Sequence, residues 1–191
     1  MNFEYSEAIN PYLEEAKFDQ AIQFAKSKLA AVPASPFHSV LDKSMLSLAD
    51  GLCSWIDDFY NAIASNSSIQ ALYFELTEFD INTEVWSIEG FAYAQDGGLE
   101  DPEWLTDIAE DWIATPAFVI TGYEELQQAF EEDADDEEEA KDWCEQLVIA
   151  QYMQLVYIAH QRARTQNLPW AKISVYYTEH GYDFILRSAG S

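Results

Sequence analysis

Apolar residues recur at helical spacing over several long segments of this chain. In residues 6–31, apolar side chains such as Ile9 and Leu13, and later Ala25 and Leu29, follow helical spacing, and Pro33 follows them. That pattern predicts one helix over 6–31, which the proline ends. The same reasoning predicts further helices over 42–64 and 102–113, one that begins with a capping box at 121–124, and a long one that reaches about residue 166.

Other segments alternate apolar and polar residues, which is the pattern of half-buried strands. They are residues 69–76, 84–93, 171–178 and 182–188, with a short candidate at 117–120. Together the elements predict an α+β fold: a mostly antiparallel sheet of four to five strands packed against helices, with two N-terminal helices. We expect a single α+β domain over 1–191, with a helical N-terminal part at 1–65 and the sheet-containing part at 66–191.

The long predicted helix contains the most apolar stretch of the chain, at 147–159. Gln151 and Gln154 interrupt this stretch, and it is too short to span a bilayer, so we expect a helix buried inside the domain. The first residues have neither the basic nor the apolar region of a secretory signal, which predicts a cytoplasmic protein that has no membrane partner. Cys53 and Cys144 each lie in a helical apolar pattern, which predicts two buried free thiols.

Charge narrows the choice of partner. The chain has 35 acidic and 9 basic residues, a net charge of −26, and an aromatic content of 15%. Between Ser44 and Ala140 there is no lysine or arginine, whereas the last 46 residues hold only two acids. Such acidity argues against direct binding of nucleic acid or of an anionic membrane through phosphate contacts. Two interpretations stay open: an adaptation for solubility or high salt, and a negative face for a basic protein partner.

A partner surface needs anchors as well as charge, and aromatic residues are interleaved with acids over 73–86. Ordinary sheet packing explains the same pattern, but aromatic anchors beside carboxylates would also receive lysine and arginine side chains. The predicted partner-binding residues are acids from three segments: Glu75, Glu78 and Asp80; Asp107, Glu110 and Asp111; and Glu131, Glu132, Asp133, Asp135 and Asp136.

The acidic run at 131–142 also has the ligand chemistry that calcium prefers. An EF-hand loop starting at Asp133 would need glycine at its sixth position and glutamate at its twelfth, where this chain has Glu138 and Cys144. A solvated loop or helix start and a docking patch are the other interpretations of this run. We therefore predict no metal site and no cofactor.

Catalytic chemistry has one candidate segment, Glu179-His180-Gly181-Tyr182-Asp183. A histidine beside carboxylates can act as a general base or as a metal ligand. No nucleophile motif accompanies it, so a hairpin turn with incidental polar residues is the competing interpretation. A small hydrolase or metal-dependent enzyme that uses Glu179, His180 and Asp183 is the alternative from a different class of function. His160, in the long predicted helix, is expected to be structural.

A family resemblance rests on two stretches, IQALYFELTEFDINTEVWSIEGFAYAQDGG at 69–98 and ISVYYTEHGYDFILRS at 173–188, and on the acidic helices between them. In these stretches the chain resembles small acidic bacterial immunity proteins, which are cytoplasmic and neutralise a toxin that is often a basic nuclease. The resemblance implies a non-enzymatic protein that blocks a basic partner by steric occlusion, with carboxylates in place of the partner's own anionic ligand. A DNA-mimic inhibitor of a DNA-binding protein is the alternative binding function.

Overall fold

The computed structural model describes residues 3–64, 68–77, 79, 85–132, 138–182 and 184–190. This part of the chain contains five α-helices: α1 (Phe3–Glu14), α2 (Phe18–Leu29), α3 (Ala49–Ala64), α4 (Glu124–Glu132) and α5 (Glu138–Gln166). Its five strands are β1 (Ala71–Leu76), β2 (Ser87–Tyr93), β3 (Phe118–Val119), β4 (Ser174–Glu179) and β5 (Leu186–Ser188). Short 3₁₀ helices span Pro36–Val40, Met45–Leu48, Pro102–Thr106, Glu110–Trp112 and Pro169–Lys172.

The five strands form one mixed sheet in the order β3-β2-β1-β4-β5. In the centre β1 pairs with β4 in parallel, and the other three pairings are antiparallel. A parallel pair needs a long crossover, and the chain between β1 and β4 supplies one that includes α4 and α5. The predicted α+β fold, with a mostly antiparallel sheet and helices at its N-terminus, is confirmed.

The prediction of one helix over 6–31 is wrong, because a turn separates α1 from α2. Ala16 has a φ of 54°, and the backbone N–H of Lys17 donates to the carbonyl of Tyr12 at 2.8 Å. Both helices pack against α5. An unbroken helix of this length would extend for about 39 Å, so the turn allows both apolar faces to be buried on the same neighbour.

One face of the sheet packs against the helical layer, with α5 in its centre. Leu72, Phe74 and Val175 point into this layer and are fully buried. Every side chain of α5 from 147 to 156 is buried, which confirms the prediction of an enclosed helix. The Tyr152 hydroxyl, also buried, donates to the carbonyl of Phe74 at 2.9 Å and so ties α5 to the central strand.

The segment between β2 and β3 covers part of the other face of the sheet. The prediction of a helix over 102–113 is wrong, because two short 3₁₀ helices occupy this segment, and Ile108 is 42% exposed. The Trp104 ring lies edge-on to Tyr93 and Tyr176, with centroids 4.9 and 5.2 Å apart. The contacts of Trp104 with these aromatic rings of the sheet therefore override the helical preference that the spacing of the segment indicates.

Two local predictions are confirmed. Cys53 and Cys144 are buried free thiols, and burial raises the pKa of both, which keeps them protonated and unreactive. The turn predicted at His180-Gly181 is also present. Gly181 adopts a φ of 81° there, a conformation that glycine reaches without steric cost, and the turn lies between the antiparallel strands β4 and β5.

His160 is fully buried near the C-terminal end of α5. Its Nε2 lies 3.2 Å from the carbonyl oxygen of Ala171, and its Nδ1 lies 2.8 Å from the hydroxyl of Ser188. A carbonyl oxygen only accepts, so Nε2 carries the proton and Nδ1 accepts from the Ser188 hydroxyl. The ring stacks on Trp170 with centroids 5.5 Å apart. These contacts tie α5 to β5 and give the histidine a structural role.

We expect protonation of His160 to destabilise the fold in mild acid. Burial, together with the nearby charge of Arg164, lowers the pKa of His160 to about 4, although the hydrogen bond to Ala171 acts in the opposite direction. The unfolded chain, with a histidine pKa near 6.5, therefore binds the proton first, and the free energy of unfolding falls as the pH drops from about 6.5 towards 4. The expected loss between pH 7.5 and pH 5 is about 2 kcal/mol.

Urea denaturation of wild-type protein and His160→Gln at these two pH values measures this loss. The variant lacks the titrating ring, so its free energy of unfolding should fall by about 2 kcal/mol less than that of wild type between pH 7.5 and pH 5. Ser188→Ala keeps the ring and should retain the acid sensitivity. Parallel pH profiles for wild type and His160→Gln would contradict the assignment.

Candidate functional site

The predicted acidic contacts do not form one cluster in the described part of the chain. Glu75 lies on β1, Asp107 and Asp111 lie in the segment between β2 and β3, and Glu131 and Glu132 end α4. The last two are exposed, and carboxylates at a helix C-terminus oppose the helix dipole. Five of the predicted contacts lie outside the described residues: Glu78, Asp80, Asp133, Asp135 and Asp136. Glu110 belongs to the 3₁₀ helix Glu110–Trp112, but its side chain is likewise outside the described part.

Asp111 lines a groove of about 440 Å³ between α3 and the chain that leads to β3. We call it the acidic groove; its lining residues are Trp55, Asp58, Phe59, Ala62, Ile63, Asp111, Ile113, Ala114, Thr115 and Pro116. Seven of these ten residues are aromatic or aliphatic, and Asp58 and Asp111, both exposed, supply the charge. A lysine or arginine side chain matches this composition, because its stem is apolar and its head is cationic.

Trp55 of α3 connects the helix side of the acidic groove with the sheet and with the loop that precedes β3. Its indole N–H donates to the carbonyl of Pro116 at 2.9 Å, and its ring packs against Phe74 and Phe118, with centroids 6.0 and 5.9 Å away. The closest approach is to Gly90 on β2, where an added Cβ would lie 2.9 Å from the tip of the indole ring. Contacts with the sheet and with the loop before β3 therefore fix the Trp55 ring, which lines the groove.

Asp107 lines a second groove, on the other side of the same segment. This groove has a volume of about 370 Å³, and Tyr93, Ile108 and Trp112 are among its lining residues. The Tyr93 hydroxyl donates to the carbonyl of Leu105 at 2.7 Å. Burial raises the pKa of this hydroxyl, and the carboxylates of Glu75 and Asp107 raise it further. Both predicted acids therefore act electrostatically on the same tyrosine.

Much of the chain's small supply of positive charge is engaged in internal contacts. Arg162 pairs with Asp50, Arg187 with Asp96 and Lys17 with Glu15; Arg164 donates to the carbonyl of Ala189, and Lys43 to that of Gly122. By contrast Asp58, Asp107, Asp111 and Glu131 form no ion pair with any residue that the structure describes. The carboxylates of both grooves are therefore available to a cationic partner.

Glu75 has a different environment from the other predicted acids. One of its oxygens pairs with Nδ1 of His180, and the other accepts a hydrogen bond of 2.6 Å from the Tyr73 hydroxyl. Burial raises the pKa of Tyr73, and the hydrogen bond to Glu75 adds to that shift. The side chain of Glu75 is only 19% exposed, against 57% for His180. Glu75 therefore presents little of its charge to solvent.

A histidine held by a carboxylate has the geometry of a general base. The hydroxyl of Thr178, two residues from His180 in sequence, lies 2.9–3.2 Å from the carbonyl oxygens of Glu179, Tyr182 and Phe184. It therefore stabilises the turn instead of serving as a nucleophile. Of the other two residues in the enzymatic alternative, Glu179 is buried and Asp183 lies outside the described residues. The pair of His180 and Glu75 has the geometry to accept a proton, but no nucleophile for a covalent step has been identified beside it among the described residues.

Glu75 also faces a like charge, because Glu89 of β2 is its cross-strand partner. Glu89 is exposed, and two carboxylates directly opposite one another destabilise a sheet. The contacts of Glu75 with His180 and Tyr73 partly compensate this repulsion, whereas Glu131 and Glu132 lie at the helix end where the dipole disfavours negative charge.

Sequence reasoning missed Asp58, which faces the acidic groove from α3. The adjacent acids Asp57 and Asp58 were visible in the sequence, but α3 falls in the part assigned to helices, away from the three acidic segments. Nothing in the local pattern indicates that α3 packs beside 111–116.

Among the described residues, no group of three or more histidine, cysteine, aspartate or glutamate side chains has a geometry that could hold a metal ion. Each described helix is too short or too polar to cross a bilayer. Comparisons with family models, with curated proteins and with solved structures gave no match to this chain.

Proposed function

We propose that this protein binds a basic protein and blocks it, as an immunity protein neutralises a toxin, and that the acidic groove is the centre of the interface. The observation that carries this proposal is the composition of the groove. It places the unpaired carboxylates of Asp58 and Asp111 beside the rings of Trp55 and Phe59. An aromatic centre with flanking charge is the usual arrangement of an energetic hot spot.

In this proposal a lysine or arginine of the partner enters the acidic groove. Its aliphatic stem packs on Trp55 and Ile63, and its head forms charge-assisted hydrogen bonds with Asp58 and Asp111. Asp107, Glu131 and Glu132, on other parts of the surface, attract the partner at longer range and speed its encounter. Inhibition follows from steric occlusion, with carboxylates taking the position of the anion that the partner normally binds.

The unfavourable placement of charge supports this interpretation. Glu131 and Glu132 lie at the unfavourable end of α4. A protein that needs only solubility can place its acids at helix N-termini or opposite cations. Acids placed against local stability suggest that the negative surface potential has a role of its own, such as attracting a cationic partner.

The test is affinity capture from a lysate of the source organism, washed at roughly 0.3 M salt so that diffuse attraction is screened. The compared proteins are wild type, D58N/D111N and E7Q/E14Q, whose exposed glutamates lie on α1. Both double variants remove two negative charges, so they change the net charge equally. We expect one basic protein to be retained stoichiometrically by wild type and by E7Q/E14Q, and its affinity for D58N/D111N to be at least about 30-fold weaker.

The captured protein is then purified, and its own activity is measured with and without wild-type protein. Loss of that activity on binding supports inhibition. Retention of no protein would contradict the proposed function. If both double variants weakened binding equally, the acidic groove would not be part of the interface. Release of the partner by duplex DNA would favour a DNA mimic instead.

A further inference from the structure

Three aromatic rings form a pocket at the other side of the helical layer, where α1 and α2 meet the start of α5. Trp143 lies at its base, with Tyr5 edge-on at a centroid distance of 4.6 Å and Phe24 edge-on at 5.8 Å. Trp143 is 7% exposed, while Tyr5 and Phe24 are half-buried. The pocket has a volume of about 300 Å³, and Glu4, Ala8, Lys28 and Glu139 complete its lining. We call it the aromatic cage.

The chain's own Lys28 places a cation at this cage. Its Nζ lies 5.4 Å from the centroid of Phe24 and 5.8 Å from that of Trp143. Both distances are within the range of cation–π attraction. Lys28 is exposed, so its flexible side chain can leave the rings and be solvated elsewhere at small cost. A cation therefore already lies beside two rings of the cage, and the side chain that carries it is exposed.

Carboxylates around the cage add a negative potential. Burial raises the pKa of the Tyr5 hydroxyl, and Asp142, Glu139, Glu4 and Glu138 raise it further through their charges. Aromatic rings with carboxylates nearby match a large, weakly hydrated cation.

We propose that the aromatic cage binds a trimethylammonium group, which displaces the Lys28 side chain. A trimethylammonium group spreads its charge over methyl groups that pack against rings, and it has no N–H groups that require hydrogen-bond acceptors. A primary ammonium is more strongly hydrated, and the faces of Trp143 and Phe24 do not replace that hydration. A ligand such as choline, which has no negative group, fits the potential better than glycine betaine, whose carboxylate would meet the surrounding acids.

Isothermal titration calorimetry with choline and with tetramethylammonium, at constant ionic strength in sodium chloride, tests this site. The compared proteins are wild type, Lys28→Ala and Lys26→Ala, a half-buried lysine of the same helix that does not line the cage. Both variants remove one positive charge. Lys28→Ala also removes the competing cation, so it should bind both probes about three- to fivefold more tightly than wild type does. Lys26→Ala should bind them with the wild-type affinity.

Tyr5→Leu, placed in the Lys28→Ala background, should weaken binding about tenfold, because a half-buried ring is lost; its helix content by circular dichroism verifies folding. Glycine betaine should bind more weakly than choline to every variant. Equal tightening by Lys28→Ala and Lys26→Ala would show diffuse attraction to an acidic protein and overturn the proposal. The absence of saturable binding to both wild type and Lys28→Ala would overturn it as well.

Discussion

Replacing Gly90 with valine is expected to destabilise the protein by about 3 kcal/mol or more, through overpacking in a tightly packed core. A Cβ at this position would lie 2.9 Å from Cη2 of Trp55, 3.1 Å from Cε1 of Phe74 and 3.2 Å from Cβ of Ala114. These atoms belong to rigid rings or to a short side chain, so relief requires movement of α3 or of β2. The same movement displaces Trp55 from the floor of the acidic groove.

Urea denaturation at pH 7.5 measures the effect, and Gly51→Ala provides the control. Gly51 lies in α3, and its added Cβ would make an ordinary contact of 3.6 Å with Phe118. Alanine is a better helix former than glycine by about 1 kcal/mol, so this variant should be slightly more stable than wild type. A Gly90→Val protein with wild-type stability would show that α3 and the sheet are not packed as described.

Reversing charge at the two grooves is expected to have the largest effect on partner binding. The double variant D107K/D111K should bind the proposed basic partner at least about 100-fold more weakly than wild type, because like charges then meet at the proposed interface. Both changes should slow association. Asp111→Lys alone should also speed dissociation, since Asp111 lies beside the apolar residues of the acidic groove and its contact with the partner is desolvated in the proposed interface.

Surface plasmon resonance with the captured partner, at two salt concentrations, separates these contributions. The control is E7K/E14K, which makes the same change in net charge on α1. Raising the salt should reduce the difference in association rate between variant and control, since screening weakens long-range attraction. The difference in dissociation rate should persist. Unchanged kinetics for D107K/D111K would exclude this face of the protein as the interface.

Local patterns were sufficient for elements whose packing agrees with their periodicity. The apolar stretch of α5 predicted a helix enclosed on all sides, and β1, β2 and β4 were recognisable by alternation and by the turns near them. The helix predicted over 102–113 is absent because the packing of this segment does not agree with its periodicity. Its helical spacing is real, but Trp104 gains more by packing on Tyr93 and Tyr176 than the backbone gains from a regular helix.

In the candidate site, too, some features followed from the local sequence pattern and others depended on tertiary packing. Asp107 and Asp111 were predicted as contacts because they lie in a segment without basic residues, and both line grooves. Asp58 was missed, and Glu75 was grouped with the surface acids although His180 and Tyr73 hold it. The partners of a side chain depend on register and on helix packing, which a one-dimensional pattern does not contain.

The sequence by itself determined the α+β fold class, the enclosed central helix, the free thiols and the large negative charge, because each follows from composition or from short-range periodicity. Only the tertiary structure decided that α1 and α2 separate at Ala16, that α3 packs beside Asp111, and that Lys28 lies over the rings of Phe24 and Trp143. Each of these depends on which distant surfaces meet. That choice is made by burying apolar area across the whole molecule, and no segment specifies it alone.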